Sequence, residues 1–270
     1  MTIEAIDFGR LYRDHLALSG RSHKSAAAWD ARAAGMAAKA LDSGYASAFV
    51  ARMNLHGAQS LLDVGCGPGT IALAVASRLQ RVVGLDYSRA MLDAMQAQAA
   101  ARGLQGVEAL HRAWEDDWSD VPVCDIAVAS RSTTVQDMAA ALEQLRAKAR
   151  LRVYLTHLVG GHFTDPLIQQ VIGRALPTVP DYIYVLNILH RMGLHPELSY
   201  LTQENRLAGA PDWDEFARRV AWSMGSLDEA ETARLRAWYE RATPQQRAGA
   251  PMRWAFISWE NPHGEHHDAH

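Results

Sequence analysis

Cysteine is almost missing from this chain. Only Cys66 and Cys124 occur in 270 residues, so no disulfide framework can hold it together. Both lie in apolar or glycine-rich surroundings, which suits reduced thiols, and neither has metal-ligand spacing to another Cys or to His; no metal site is expected. Long apolar runs are missing as well. No segment reaches the ~18 uncharged apolar residues that a bilayer-spanning helix needs, and Glu4 and Asp7 interrupt any secretory leader. A cytoplasmic protein away from membranes is the expectation. Charge of one sign is also scarce. Lys and Arg number 27 against 30 Asp and Glu, a net of −3, which is not the footprint of a protein that lives on phosphate backbones, so no nucleic-acid partner is expected. Internal repeats, low-complexity blocks and linkers are absent.

What is present is an ordinary globular composition, 49% hydrophobic, in a chain long enough to bury a core unaided. Residues 1–57 read as an alanine-rich helical cover; Trp29, Met36, Leu41, Tyr45 and Phe49 supply its larger apolar groups, and a break falls near Ser43 and Gly44. From Ser60 the rhythm changes. Short apolar runs at 61–64, 81–86, 107–111, 124–130 and 151–158 alternate with helical stretches at 70–79, 88–102 and 135–148, the mark of βαβ units and a parallel sheet covered on both faces. Further on, helices are predicted over 165–175, 181–192, 212–224 and 227–242, a strand with a turn over 197–208, and an aromatic strand over 253–259. One domain is expected: the cover, a core over 58–160, helices and last strands over 161–262, and a tail over 263–270. Four of the twelve histidines (His263, His266, His267 and His270) fall in that tail; with no preformed site, they read as a plain terminus rather than a metal site.

The most informative stretch is Asp63-Val-Gly65-Cys66-Gly67-Pro-Gly69. It follows an apolar strand and opens a helix, and its glycines let the backbone turn tightly and a ligand approach without meeting a Cβ atom. In an open α/β sheet, ligands sit at the carboxyl ends of the strands, so a nucleotide-like cofactor belongs here. Asp86 ends the second run about twenty residues on, where an acid accepts from both ribose hydroxyls; the competing reading is a helix cap, since Ser88 follows. The dinucleotide fingerprint places its third glycine one position later, and a carboxylate at Asp63 would repel a pyrophosphate but welcome an ammonium group.

LLDVGCGPGTIALAVA followed by VVGLDYSRAMLDAM resembles the first two motifs of the class I S-adenosylmethionine-dependent methyltransferases, in the flavour of the small-molecule ubiquinone and menaquinone C-methyltransferases (the type 11 group). The resemblance implies an α/β, Rossmann-like, doubly wound sheet of seven mostly parallel strands with an antiparallel last strand. It implies S-adenosyl-L-methionine as cofactor. Asp63, Gly65, Cys66, Gly67 and Gly69 would line its methionine and sugar, Asp86 would hold the ribose hydroxyls, and Tyr87 and Ser88 would lie beside the adenine. The third motif departs from the usual pattern and reads Arg112-Ala-Trp114-Glu115-Asp116; Glu115 or Asp116 is placed to accept from the adenine amino group, with Trp114 packing on the ring or in the core.

Methyl transfer from a sulfonium needs alignment and exclusion of water more than proton chemistry, so the donor side is easier to read than the acceptor side. Ser130 and Arg131 end the fourth strand facing cofactor and substrate. Arg131 either binds an acceptor carboxylate or phosphate or ties to Asp137. His157 ends the fifth strand and is the candidate base, since imidazole titrates near neutrality; a buried, backbone-bound histidine is the alternative. Trp29-Asp30-x-Arg32 resembles the aromatic-plus-charge pattern that folds over the cofactor in related enzymes; amphipathic packing is the alternative. The stretch from Asp181 to His190 is apolar nearly all round and so is buried by something, a substrate-pocket wall, a dimer face or core; Tyr182, Tyr184 and Asn187 are its polar candidates. With too few thiols for arsenic-type chemistry, the expected partner is a small-molecule acceptor, for a monomer or homodimer. The alternatives are a catalytically silent S-adenosylmethionine-binding protein and a nicotinamide-dependent oxidoreductase. A nucleic-acid methyltransferase is disfavoured by the charge and by Ser130-Arg-Ser-Thr-Thr where such enzymes carry an Asn/Asp-Pro-Pro-aromatic motif.

Overall fold

The short apolar runs become the middle of one sheet. The computed structural model describes residues 2–21, 23–38 and 44–261; the position of Leu41 and Ser43 and the four tail histidines lie outside them. Strands β1 (Ser60–Val64), β2 (Arg81–Asp86), β3 (Val107–His111), β4 (Cys124–Ser130), β5 (Ala149–Leu158), β6 (Glu197–Gln203) and β7 (Met252–Glu260) form a single sheet in the order β3-β2-β1-β4-β5-β7-β6. The strands β1 to β5 pair in parallel, and β7 runs antiparallel between β5 and β6. Every residue of β1 is buried, as a central parallel strand covered on both faces requires. The chain leaves β1 toward β2 on one side and returns to β4 on the other, so the switch point lies at the carboxyl ends of β1 and β4.

Period-2 alternation divides the core. Leu62, Ala127 and Val153 point to one face, where α1 (Phe8–Leu18), α7 (Met138–Ala147) and α9 (Tyr182–Arg191) cover them. Leu61, Ile126 and Tyr154 point to the other, against α4 (Gly44–Val50), α5 (Ala72–Val75) and α6 (Arg89–Ala101). A satellite core around Phe216 joins α8 (Pro166–Ile172), α10 (Trp213–Met224) and α11 (Glu229–Arg241). A short α12 (Pro244–Ala248), capped by Thr243, leads into β7. Among the described residues, no helix is long and apolar enough to cross a membrane.

Several predicted helices come out shorter. The stretch expected over 70–79 is helical only at α5 and then tightens into a 3₁₀ turn at Ala76–Arg78, because β2 must start at Arg81. The N-terminal cover breaks at Ala31 and Arg32, between α2 (Ala26–Asp30) and α3 (Ala33–Ala37). That break positions Asp30, whose Oδ1 accepts from Ser88 Oγ at 2.5 Å and from the Ala90 N–H at 3.2 Å. The cover is thus pinned to the start of α6. Hydrogen bonds to a charged acceptor contribute about 1.5–3 kcal/mol when shielded; this one is half-buried and belongs at the low end. Asp30→Ala is expected to lower the Tm by a few degrees and to speed limited proteolysis within 20–38 several-fold; unchanged cleavage there would show that the cover is held by other contacts.

Candidate functional site

The site begins with an acid of which one oxygen lacks a partner. Asp63, one residue before the end of β1, is 1% exposed. Its Oδ2 accepts from the Ala72 N–H at 3.0 Å, while Oδ1 meets no donor. Burial, and next the nearby Asp86 carboxylate, push its pKa up to about 7, against the opposing pull of the Ala72 N–H and of Arg131. A buried acceptor left unpaired costs about 1–3 kcal/mol and calls for a missing donor.

The glycine loop is tied to β2. The N–H groups of Gly65 and Cys66 both donate to the Leu85 carbonyl, at 2.7 and 3.1 Å. The Gly67 N–H donates to Asp86 Oδ2 at 2.8 Å, and the Ser88 N–H to Asp86 Oδ1 at 2.9 Å. One carboxylate therefore fixes both the loop and the start of α6, and burial raises its pKa. The loop glycines differ in what they permit. At Gly65 (φ 67°) a Cβ would lie 2.3 Å from Ser132 Cβ, so close packing excludes any side chain. At Gly67 (φ 55°) a Cβ would meet nothing within 4 Å; that face of the loop is open to a ligand. Gly69 packs against Leu73 and Met95. Cys66 is buried and its thiol packs toward Gly84; burial raises its pKa well above that of a free thiol, so it offers backbone rather than a nucleophile.

Tyr87 and Ser88 follow as expected in position, but their side chains serve the cover. Tyr87 Oη donates to the Lys24 carbonyl at 2.8 Å and burial lifts its pKa to about 12. Ser88 caps α6, accepting from the Met91 N–H at 3.3 Å while it donates to Asp30. Trp114 Nε1 donates to the Ser132 carbonyl at 3.1 Å, and its ring stacks on Trp118 at 5.5 Å, which gives it a packing role next to the loop. Asp116 closes its own turn by accepting from the Ala113 N–H at 2.7 Å, and Glu115 is exposed.

At the ends of β4 and β5 the structure assembles a group that sequence patterns did not show. The Tyr45 hydroxyl sits between Ser130 Oγ at 2.9 Å and Thr156 Oγ1 at 2.8 Å. Arg131 adopts left-handed backbone (φ 58°), uncommon for a residue other than glycine. Its guanidinium lies 4.1 Å above the Tyr45 ring and donates to Gln203 Oε1 at 3.0 Å. The expected tie to Asp137 is not made. Asp137 caps α7 through the Ala140 N–H and accepts from Arg13 of α1 at 2.8 Å, a partner brought from 124 residues away.

His157 is the buried, backbone-bound histidine. Nε2 faces the Pro180 carbonyl at 3.1 Å and Nδ1 faces Thr133 Oγ1 at 2.8 Å; burial pushes its pKa down to about 4. Trp29 packs edge-on against Trp222 at 5.2 Å. Tyr182 accepts from the Tyr200 hydroxyl at 2.9 Å, Tyr184 meets His15 at 3.0 Å, and Asn187 bonds back to the Ile183 carbonyl. The buried side of α9, Val185, Ile188 and Leu189, is ordinary core.

Two pH effects follow. A carboxyl whose folded pKa lies above its unfolded value favours folding at low pH, so the Asp63 contribution is lost as pH rises from about 4 through about 7. Asp63→Asn is expected to flatten the fall in Tm of the ligand-free protein across that window; an unchanged slope would show that the carboxyl is already ionised below it. The His157 contribution has the opposite course. It is present above about 6.5 and lost as pH falls toward 4, and His157→Gln should lower the Tm at pH 7.5 by several degrees; a Tm within about 1 °C of the parent, well under the shift that 1 kcal/mol produces, would remove its structural part.

Residues 61–151 match the family model described as a methyltransferase domain. An uncharacterized protein of Haemophilus influenzae is 35% identical over 263 residues, 96% of this chain and 98% of that protein. Among solved structures, coclaurine N-methyltransferase bound to N-methylheliamine and SAH covers 96% of both chains at 13% identity with a TM-score of 0.52. The YcgJ protein of Bacillus subtilis covers 80% of this chain and 95% of its own (13% identity, TM-score 0.51). The [4+2]-cyclase SpnF covers 80% and 79% (19%, 0.50). At such identities the structural likeness is one of fold. With the glycine loop, the two acids and the strand order already in place, residues 61–151 are a methyltransferase domain, built on the class I methyltransferase fold that the sequence resembles.

Proposed function

We propose that this methyltransferase binds S-adenosylmethionine at the carboxyl ends of β1 and β2 and passes its methyl group to a small-molecule acceptor. The observation that carries the reading is the unpaired Oδ1 of buried Asp63 beside the open face at Gly67. An ammonium group is the donor such an atom lacks, and the methionine end of the cofactor has one. Asp86 spends two acceptor positions on Gly67 and Ser88; a carboxylate has about four, which leaves capacity for the ribose hydroxyls. The same buried acid argues against a dinucleotide, whose pyrophosphate it would repel.

When bound, the cofactor would supply an electrophilic methyl group, whose carbon–sulfur bond would break with its electron pair kept by sulfur as the acceptor's lone pair forms the new bond. The chain's own part is to hold and align. Asp63 and the loop fix the donor end; Tyr45, Ser130 and Arg131 form the polar floor at the ends of β4 and β5, where the acceptor would lie; the cover pinned by Asp30 keeps water out. His157, with both nitrogens engaged, is given no proton-transfer role, since a thioether leaving group would need no acid; a proton lost by the acceptor would go to water.

Thermal unfolding with ligands tests this reading. A ligand at 100 times its Kd stabilises the native state by about 2.7 kcal/mol, so S-adenosylmethionine and S-adenosylhomocysteine should raise the Tm by several degrees and NADH should not. Asp63→Asn and Asp86→Ala should each weaken S-adenosylhomocysteine at least tenfold, and a panel of small acceptors should include one that drives S-adenosylhomocysteine formation. A shift with NADH alone would point to an oxidoreductase; binding without turnover on any acceptor would point to a silent binding protein.

A further inference from the structure

Around the acceptor side the structure gathers cations without matching acids. Arg131 follows β4, Arg206 follows β6, and Phe163 follows β5, so all three sit at the carboxyl edge of the sheet. The segment between α1 and α2 brings Arg21 and Lys24 over them, and Arg32 follows α2. Arg21 lies 4.0 Å above the Phe163 ring, and Arg206 lies 5.8 Å from the same ring. Two guanidiniums therefore converge on one aromatic ring. Gln203, which holds Arg131, is three residues before Arg206. Lys24 and Arg32 both lie against Trp222, at 4.8 and 4.3 Å.

Among the described residues, none of these five cations makes an ion pair with a carboxylate. The acid near Arg32, Glu215, is already engaged by Arg218 and Arg219. Asp63 acts on Arg131 but forms no bond with it. Burial, then the like charges of Arg131, Arg21 and Arg32, push the pKa of Arg206 down to about 10, with no opposing anion. Crowding guanidiniums this way weakens the fold unless something anionic joins them.

We propose that Arg21, Arg131 and Arg206 receive a carboxylate or phosphate of the methyl acceptor, so that the substrates of this enzyme are small anions. The inference rests on the cofactor reading above, because it is the cofactor that brings the methyl group to the same edge. The cofactor has one carboxylate of its own; it would neutralise one of these cations and leave the others for the acceptor. Planar guanidiniums suit bidentate recognition of either oxyanion, and the flanking rings of Phe163 and Tyr45 give the bound group an apolar wall.

The test titrates inorganic phosphate and pyrophosphate into protein saturated with S-adenosylhomocysteine, at ionic strength held constant with chloride. Saturable binding of at least one anion is expected. Arg206→Gln and Arg21→Gln should each weaken it at least tenfold while the S-adenosylhomocysteine Kd stays within twofold. Arg206→Gln should also raise the Tm of the ligand-free protein, since it relieves repulsion; a residue kept only for structure would lower it. No anion binding by the saturated protein overturns the proposal. So does a tenfold loss of S-adenosylhomocysteine affinity in Arg206→Gln, which would assign the cluster to the cofactor's carboxylate. Failure of S-adenosylhomocysteine to bind the parent protein is a separate result, and it overturns the cofactor reading along with the acceptor assignment.

Discussion

The structure depends on one carboxylate held between two backbones. Asp86 accepts from Gly67 in the loop after β1 and from Ser88 at the start of α6, so the ends of two neighbouring parallel strands cannot move apart without breaking charge-assisted hydrogen bonds. That tie fixes the loop in the shape that leaves Gly67 open and holds Asp63 in a dry site. Burial and the nearby Asp86 carboxylate together raise the proton affinity of Asp63. The fold retains the arrangement although it costs stability, which is the mark of residues kept for a ligand.

Around this tie the N-terminal residues act as a cover rather than a tail. Asp30 reaches the cap of α6, the Lys24 carbonyl receives the Tyr87 hydroxyl, and Tyr45 joins the ends of β4 and β5. Each anchor meets the carboxyl edge of the sheet, where the switch point already directs ligands. Cover and sheet together enclose one polar edge, acidic at β1 and β2 and cationic from β4 to β6. A donor carrying an ammonium group and an acceptor carrying an oxyanion would meet where the two halves join. The fold alone would not choose that pairing, since folds of this kind also serve a cyclase.

Much of the frame could be read from the chain because it is local. The runs at 81–86, 107–111 and 124–130 coincide with β2, β3 and β4, and Ser88 and Asp212 cap the helices they precede. Asp63 and Asp86 were legible because their spacing from the glycines is fixed by one βαβ unit. The remainder depends on long-range packing. Tyr45 reads as one more apolar residue of an alanine-rich helix, and only the tertiary fold brings its hydroxyl to Thr156, 111 positions away. Arg206 lies in an unremarked turn, and nothing in its neighbours signals Arg21 or Phe163. Asp137 stands near Arg131 in sequence, yet the left-handed turn at Arg131 aims its side chain toward Gln203, and α1 delivers Arg13 to Asp137 instead. Tyr87, Ser88 and Trp114 occupy positions that the family pattern associates with adenine, but a side chain's position does not reveal which neighbour will claim its hydrogen bonds.

In the proposed cofactor site, a mostly protonated carboxyl at Asp63 waits for the ammonium group. Its arrival would favour the ionised form and drive the proton into solution. Calorimetry of S-adenosylhomocysteine binding at pH 6.5, in buffers with different ionisation enthalpies such as MES and imidazole, counts that proton directly. The heats should differ between the buffers in proportion to those enthalpies, in the sense of proton release, with the difference abolished in Asp63→Asn. Identical heats in both buffers for the parent protein would contradict it.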